Sequence, residues 1–172
     1  MALTQVPAPQ TGSLTLLSTT TLSGSSTTIS DINQSYKSLK ILVRDADCTD
    51  VSTIFGIRFN GVTSGSYYYA VPASADASGI GYYGASGNTS IYYGLSTTSE
   101  DYDKKHSGEI YIERYAQTEY KHIAFNSYQN AGNYRTHYGV GKFNSTTAIS
   151  SITLFPASGT FNSGTVYTYG VN

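Results

Sequence analysis

Charge is scarce in this chain. Only 12% of the 172 residues are Asp, Glu, Lys or Arg, and 10 cations against 11 anions leave a formal net charge of -1. Proteins that bind nucleic acid or anionic membranes through charge present a basic patch, which so few and so balanced charges do not supply. The composition therefore argues against a nucleic-acid or membrane partner. We expect contacts made by apolar and hydrogen-bonding groups instead.

Cysteine and long apolar runs are scarce too. Cys48 is the only cysteine, so it cannot form an intrachain disulfide, and no neighbouring motif indicates a reactive thiol. No stretch approaches the ~18 apolar residues of a membrane-spanning helix, and the first residues lack the basic and apolar regions of a signal peptide. We therefore expect a soluble protein that is made in the cytoplasm.

Tryptophan is absent, methionine occurs once, and no segment has apolar residues at helical spacing. In their place, 63 of the 172 residues carry a hydroxyl group, namely 24 Ser, 22 Thr and 17 Tyr. Thr and Tyr favour strands, whereas Ser and Gly favour turns. About eight to ten short segments separated by turn signals predict an all-β antiparallel β-sandwich, with a jelly roll as the expected type. One such domain is predicted over residues 14–172.

Two segments alternate most clearly between apolar and polar residues, 36–44 and 53–60, and the second ends in the turn signal Asn60-Gly61. Their predicted inward-facing residues are Leu39, Ile41, Val43, Phe55, Ile57 and Phe59. Further strands are predicted at residues 107–115, 120–128, 135–143, 149–155 and 165–171.

Three local features have more specific predictions. Residues 14–32 are predicted to form a hairpin that turns at Ser23 to Ser26. In the strand 107–115, Tyr115 is placed on the polar side, opposite the isoleucines. Residues 64–98, rich in Gly, Ser, Ala and Tyr, are predicted to alternate between short strands and long loops.

The C-terminal part of the chain combines an I-x-x-I-x-L run, a G-x-F-x-S-G-T turn and a final Y-G-V. The residues concerned are Ile149, Ile152, Leu154, Gly159, Phe161, Ser163, Gly164, Thr165, Tyr169, Gly170 and Val171. An earlier block joins S-Y-K-S-L-K-I-L-V-R, residues 35–44, to I-R-F-N-G, residues 57–61. On these motifs the chain resembles, from residue 28 onward, small virion structural proteins of tailed bacteriophages, especially marine and cyanobacterial ones.

The resemblance implies a non-enzymatic protein of the virion that is made in the host cytoplasm. It would be a capsid decoration or cement protein on the outside of the phage head, bound to the major capsid protein and to copies of itself as a homotrimer, without a cofactor. A second interpretation stays open, in which the sandwich is a tail or fibre domain that binds host surface glycan through tyrosine-rich loops. Dependence of attachment on the N-terminal segment favours the first interpretation, and glycan binding by the isolated protein favours the second.

Residues 1–13 are predicted to form an extended N-terminal arm. Pro7 and Pro9 bias the backbone toward a polyproline-like form, and residues 1–12 contain no charged side chain. The arm contains too few large apolar side chains to build a core of its own. Leu3 and Val6, together with the two prolines, are therefore the candidate residues for contact with the capsid or a neighbouring subunit.

Tyrosines are concentrated between residues 64 and 98. Tyr offers a large rigid contact area and a hydroxyl group, so exposed clusters occur at protein interfaces and where sugars stack. Because Tyr is also a good strand residue, we expect about half of these side chains to be ordinary strand or core residues. The candidate surface-contact residues are Tyr67, Tyr68, Tyr69, Tyr82, Tyr83, Tyr92 and Tyr93.

Metal-binding patterns are weak. Three histidines lie on different predicted elements without the spacing of a metal site, and we interpret them as surface imidazoles. They are His106, His122 and His137. Three aspartates, in D-A-D-C-T-D, can gather around a calcium ion, but they lack the glycine and the terminal glutamate of the calcium-loop motif. We interpret Asp45, Asp47 and Asp50 as a solvated loop between strands.

Catalytic patterns are weak as well. Glu109 and Glu113 share one strand face, but a separation of about 13 Å is too long for a pair of glycosidase carboxylates. The sequence has no nucleophile elbow, phosphate loop or zinc signature. We therefore expect no enzymatic activity.

Deletion of residues 2–12 tests the predicted arm. Because the arm contributes no core residues, we expect the melting temperature of the sandwich to stay nearly unchanged, while attachment to the particle or to other copies falls sharply. Calorimetry and sedimentation with particles measure the two effects. An armless protein that unfolds readily but still binds would identify the segment as an integral strand.

Overall fold

The computed structural model describes residues 13–50, 53–75, 80–95, 105–130 and 134–172, of which residues 72–75, 80–83, 95, 130 and 134–135 are described by their backbone alone. This part of the chain contains twelve strands and no helix. The strands are β1 (Leu14–Thr21), β2 (Thr27–Ile29), β3 (Ser38–Cys48), β4 (Ile54–Phe59), β5 (Tyr67–Ala75), β6 (Ile80–Asn88), β7 (Ile91–Leu95), β8 (His106–Glu113), β9 (Lys121–Asn130), β10 (Tyr134–Phe143), β11 (Ile152–Pro156) and β12 (Phe161–Val171).

The strands form two antiparallel sheets that pack as a sandwich. The large sheet has eight strands in the order β1-β12-β3-β8-β9-β10-β5-β6, and the small sheet has four in the order β2-β11-β4-β7. The predicted antiparallel β-sandwich is confirmed. The finer jelly-roll assignment stays a prediction, because a jelly roll divides eight strands between its two sheets, whereas the division here is eight and four.

The core lies between the inner faces of the two sheets. The six inward residues predicted for β3 and β4 are all fully buried, which confirms their alternation. Aromatic rings fill one region, where the Phe143 ring lies 5.0 Å from Tyr67 and 5.4 Å from Phe59 between centroids. Burial of each large apolar side chain contributes about 1.5–3 kcal/mol, so this layer supplies most of the drive to fold.

The predicted turn after β4 is present. Asn60 and Gly61 both have positive φ, 53° and 66°, which is the backbone form that an Asn-Gly pair tolerates best. The Asn60 side chain also ties this turn to the segment before β11. Its Oδ1 accepts the Ser150 N–H at 2.8 Å, and its Nδ2 donates to the Ala148 carbonyl at 2.8 Å.

The hairpin predicted for residues 14–32 is wrong. β1 pairs with β12 in the large sheet, whereas β2 pairs with β11 in the small sheet. Leu22, which follows β1 in the chain, is buried in the core. The segment from β1 to β2 therefore crosses from the large sheet to the small one. Leucines at intervals indicated strands correctly, but they contain no information about which strand is the partner.

Tyr115 is also placed differently from its prediction. β8 ends at Glu113, and Arg114 has a positive φ of 48°, so the regular alternation stops one residue before Tyr115. Its ring is fully buried, and its hydroxyl donates a hydrogen bond to the Asn33 carbonyl. A strand pattern therefore cannot be extended through a residue with left-handed backbone.

Lys121 is a fully buried cation at the start of β9. Its Nζ donates to the carbonyls of Gln117 and Glu119 at 2.5 Å and lies 3.5 Å from that of Thr146. Burial lowers the pKa of the Lys121 amine. The side chain thus holds together the loop before β9 and the loop after β10, where an aliphatic residue would leave these carbonyls without a donor.

Replacement of Ile41 by Asp tests the core alternation, with Leu42 as a matched control on the opposite face of β3. Ile41→Asp places a carboxylate in the apolar layer and should lower the free energy of unfolding by about 4 kcal/mol or more. Leu42 is only partly buried, so Leu42→Asp should lower it by about 1 kcal/mol. Chemical denaturation measures both values, and equal losses would contradict the assigned faces.

Candidate functional site: the outer face of the eight-stranded sheet

The face of the large sheet that points away from the small sheet is here called the outer face. Alternation defines it in β9, where Ile123 and Phe125 are buried while Ala124, Asn126 and Tyr128 are exposed. In β10, Tyr138 and Val140 pair with Asn126 and Ala124 and therefore lie on the same face. Among the residues that the structure describes, the exposed large hydrophobic side chains are Leu14, Leu16, Tyr68, Tyr120, Tyr128, Tyr138 and Val140.

All seven of these side chains belong to the outer face. Leu14 and Leu16 pair with Val171 and Tyr169, which flank the buried Gly170 of β12. Tyr68 pairs with Lys142 of β10, and the Lys142 Nζ lies 4.2 Å from the centroid of the Tyr120 ring. The exposed apolar surface is therefore gathered on one side of the sandwich, with Val140 the most open at 62% exposure.

A groove runs along β9 in the middle of this face and is here called the β9 groove. Its floor is Ala124, and its two sides are Glu109 and Tyr111 of β8 and Tyr138 and Val140 of β10. The volume of this space is about 470 Å³. The groove exists because β9 has Ala124 at the position where the neighbouring strands have Tyr111 and Val140.

The groove continues toward the start of β9. A second space of about 220 Å³ shares Tyr111, Ala124 and Val140 with the first and adds Glu113 and His122. The β9 groove therefore follows the strand from Asn126 to His122, with apolar and aromatic side chains along it and a carboxylate toward each end, Glu109 and Glu113.

Charges on the outer face are compensated within the face. Glu109 accepts hydrogen bonds from the Lys40 ammonium at 2.7 Å and from the Asn126 amide at 3.0 Å. The hydrogen bond from Lys40 is the main reason why the pKa of the Glu109 carboxyl is lowered. Lys142 lies between the rings of Tyr68 and Tyr120, at 5.8 and 4.2 Å from their centroids. Such a surface exerts little long-range field and favours contact with a partner of low charge.

The outer side of the small sheet is built differently. Phe155 pairs with Gly56, where a Cβ would lie 2.4 Å from the ring, so the ring packs flat on the strand. The Arg58 guanidinium lies 4.1 Å from the centroid of that ring. Thr28 and Thr153 join their hydroxyls at 2.9 Å. This side shows no exposed large hydrophobic residue among those described, so the two outer surfaces of the sandwich are chemically distinct.

The seven candidate tyrosines all lie in strands, so their assignment to loops is wrong. Tyr67 and Tyr93 are core residues and cannot be surface contacts; the Tyr67 hydroxyl accepts the Phe59 N–H at 2.9 Å. Tyr69 and Tyr92 are half-buried and meet edge to face at 5.9 Å. Tyr68 is exposed on the outer face. For Tyr82 and Tyr83 the structure describes only the backbone, in β6.

Sequence reasoning missed most of the outer face, because it searched for tyrosines in runs. Tyr111, Tyr120, Tyr128 and Tyr138 stand singly in the sequence. Cross-strand register places Tyr111, Tyr128 and Tyr138 on one face, and Tyr120, just before β9, is placed there by its contact with Lys142. The alternation of inward and outward residues in β9 and β10 is the sequence signal that identifies the tyrosines of these strands as outward-facing. The arm candidates Leu3, Val6, Pro7 and Pro9 lie outside the described residues.

Of the three aspartates predicted to form a solvated loop, Asp50 is exposed and follows β3, as predicted, whereas the other two lie within a strand. Asp45 and Asp47 lie in β3, where Asp45 has a positive φ of 51° and donates its N–H to Ser107 Oγ at 3.0 Å. The Asp47 carboxylate accepts the Cys48 N–H at 2.8 Å and the Asn162 amide at 3.2 Å. Within residues 13–50 and the other described ranges, no group of three or more His, Cys, Asp or Glu is placed to hold a metal ion.

Two of the three histidines are buried, so their prediction as surface imidazoles is wrong. His106 is fully buried beside the rings of Phe55 and Tyr93, at 5.0 and 5.5 Å between centroids, and His137 is 4% exposed. A Cβ on Gly94 would lie 2.0 Å from His106 Nε2, so only glycine leaves room for this imidazole. Burial, and secondarily His137, lowers the pKa of His106 to about 3. His122 is exposed, as predicted.

Comparison of the chain with protein-family models, with curated proteins and with solved structures finds no match. In the described ranges there is also no helix long and apolar enough to cross a bilayer.

Acid should destabilise the fold through His106. Because its pKa is lowered in the folded state, the unfolded chain binds a proton near pH 6.5 that the folded chain does not bind until about pH 3. Between pH 7 and pH 5, His106 should therefore remove about 2 kcal/mol from the free energy of unfolding.

Denaturation of the His106→Leu variant at both pH values measures this effect, and the variant should lose less stability on acidification than the wild type. The exposed His122 is the control, because His122→Leu should leave the pH dependence of the wild type in place. Parallel pH profiles of wild type and His106→Leu would contradict the buried, neutral state.

Proposed function

We propose that this chain is a non-enzymatic structural protein of a virion, a capsid decoration or cement protein that binds the outside of a tailed-phage head and stabilises it. Its partners are the major capsid protein and other copies of itself, assembled as a homotrimer. It acts by adding contacts between neighbouring subunits, so its function requires a binding surface and no catalytic group.

One observation carries this proposal. The seven exposed large hydrophobic residues of the described chain share one face, while the opposite surface shows none among the described residues. Scattered exposed apolar residues are normal on a monomer, but their concentration on one face is typical of an interaction site. The enrichment in Tyr and the internal compensation of charge fit a protein partner better than an ionic one.

The resemblance of residues 35–61 and 149–171 to virion structural proteins of tailed bacteriophages supports the same proposal. The low charge of the chain agrees with a role in which contacts are made by apolar and hydrogen-bonding groups. Attachment should consequently change little with ionic strength.

A second candidate function is a tail or fibre domain that binds host glycan. It is favoured by Tyr111 and Tyr138, which flank the carboxylate of Glu109 and the amide of Asn126 in the β9 groove. Aromatic faces beside such polar groups suit the stacking and hydrogen bonding of a sugar ring. Binding of the isolated protein to a glycan array would favour this function over the first.

Substitution of Val140 by Lys tests whether the outer face is the attachment surface. The new charge must be desolvated on contact, so binding to particles that lack the protein should weaken at least about tenfold, equivalent to about 1.4 kcal/mol. Co-sedimentation with particles of the virus that encodes the chain measures binding, and calorimetry should show a melting temperature close to that of the wild type, because Val140 is exposed.

Thr28→Lys on the small sheet is the matched control. Thr28 is exposed on the opposite surface, so this variant should bind particles like the wild type. Loss of binding in both variants, or in neither, would show that the outer face is not the attachment surface. Labelled antibody on intact particles then separates the two candidate functions, since a decoration protein is found over the head and a fibre domain on the tail.

A further inference from the structure

We infer that the β9 groove binds residues 5–9, Gln-Val-Pro-Ala-Pro, of a second copy of this chain. The inference rests on the self-association included in the proposed function, and it names the two elements that would make the contact. It follows from the walls of the groove, the chemistry of the segment and the reach of the chain from β1.

The walls of the groove suit a polyproline ligand. Tyr111 and Tyr138 stand on opposite sides of a floor formed by Ala124, so the groove has an aromatic ring on each side and a small residue at its base. Grooves lined by aromatic side chains are the usual receptors of polyproline segments, because proline rings pack flat against aromatic rings. Tyrosine hydroxyls and the Asn126 amide provide hydrogen-bond donors at the rim.

The segment has the matching chemistry. Val6-Pro7-Ala8-Pro9 is uncharged, and its two prolines favour the polyproline conformation, whose carbonyls form no internal hydrogen bonds and remain open to donors. This conformation rises about 3.1 Å per residue, so five residues span about 15 Å. The β9 groove extends from Asn126 to His122, four strand steps or about 13 Å. Segment and groove therefore agree in length.

Reach argues for a second copy. β1 and β9 are separated by four strand spacings in the order β1-β12-β3-β8-β9, which is about 19 Å. Pro9 precedes Leu14 of β1 by five residues, which span at most about 18 Å when fully extended at right angles to the strand. For Pro9 to reach its own groove, the residues before Leu14 would have to run fully extended and straight across the sheet, whereas a segment from a second copy is under no such constraint.

The direction of β1 also favours a second copy. Its first residue, Leu14, pairs with the penultimate residue Val171 at one end of the large sheet, and Leu16 and Thr19 follow toward the middle. A segment that continued this direction before Leu14 would pass beyond the end of the sheet and would meet a neighbouring molecule, as in the exchange of identical elements between protomers.

Site-specific photo-crosslinking of the full chain tests this assignment. Val6 is replaced by p-benzoylphenylalanine, equal amounts of unlabelled and ¹⁵N-labelled protein are mixed, and cross-linked peptides are identified by mass spectrometry after illumination. We expect mixed-isotope cross-links from position 6 to β8, β9 or β10 around Ala124. Cross-links within one chain only, cross-links to other surfaces, or no cross-link at all would overturn the assignment.

Two variants carrying the same photo-crosslinker serve as matched tests. Ala124→Arg fills the floor of the groove at an exposed position and should reduce the mixed-isotope cross-link at least about tenfold, whereas Thr28→Arg on the small sheet should leave it unchanged. An undiminished cross-link in Ala124→Arg would also overturn the assignment. Co-sedimentation of the same proteins with particles distinguishes this inference from the proposed function. A protein that binds particles but forms no mixed-isotope cross-link rejects only the arm site. A protein that forms the cross-link but does not bind particles rejects only the capsid function.

Discussion

Burial of alternate side chains between two sheets is the constraint on which the rest of this structure depends. Successive residues of a strand point to opposite faces, so the residues that fill the core fix the orientation of all the others. Ile41 and Val43 lie inside because they are apolar, and Lys40 and Leu42 consequently lie on the outer face. The outer face is thus positioned by the core, yet its composition is not dictated by core packing. Its enrichment in large apolar residues therefore requires a separate explanation, and binding provides one.

The two exterior surfaces of the sandwich show how different that composition can be on one scaffold. On the small sheet, Phe155 is covered by its contacts with Gly56 and Arg58 and is only 8% exposed. On the large sheet, Tyr138 and Val140 have no comparable cover and are more than half exposed. A chain with so few charges keeps such a face soluble through hydroxyl groups and through local pairs such as Lys40 with Glu109. The same features suit a surface that becomes buried against another protein.

The buried polar groups of the core affect its stability in ways that apolar residues do not, and one of them makes that stability depend on pH. Lys121 has carbonyl acceptors around its Nζ and links two loops. The nitrogens of His106 have no hydrogen-bond partner among the residues that the structure describes, and its imidazole is surrounded by Phe55, Tyr93 and Gly94. A buried cation that donates hydrogen bonds, like Lys121, stabilises the fold. A buried imidazole without acceptors, like that of His106, is protonated only at a cost in stability. Lys121 therefore strengthens the fold, whereas His106 makes it sensitive to acid.

The sequence by itself determined the strands that alternate clearly, such as β3 and β4, because their period of two is a local property that needs no knowledge of partners. It predicted the inward residues of β3 and β4, the Asn60-Gly61 turn and the antiparallel sandwich. The tertiary structure alone decided which strands pair, and so it replaced the predicted hairpin of residues 14–32 by a crossover between sheets. It also decided the burial of His106 and the placement of Tyr111 and Tyr138 on either side of β9. These features join residues far apart in the chain, and no local pattern records which distant residues will become neighbours.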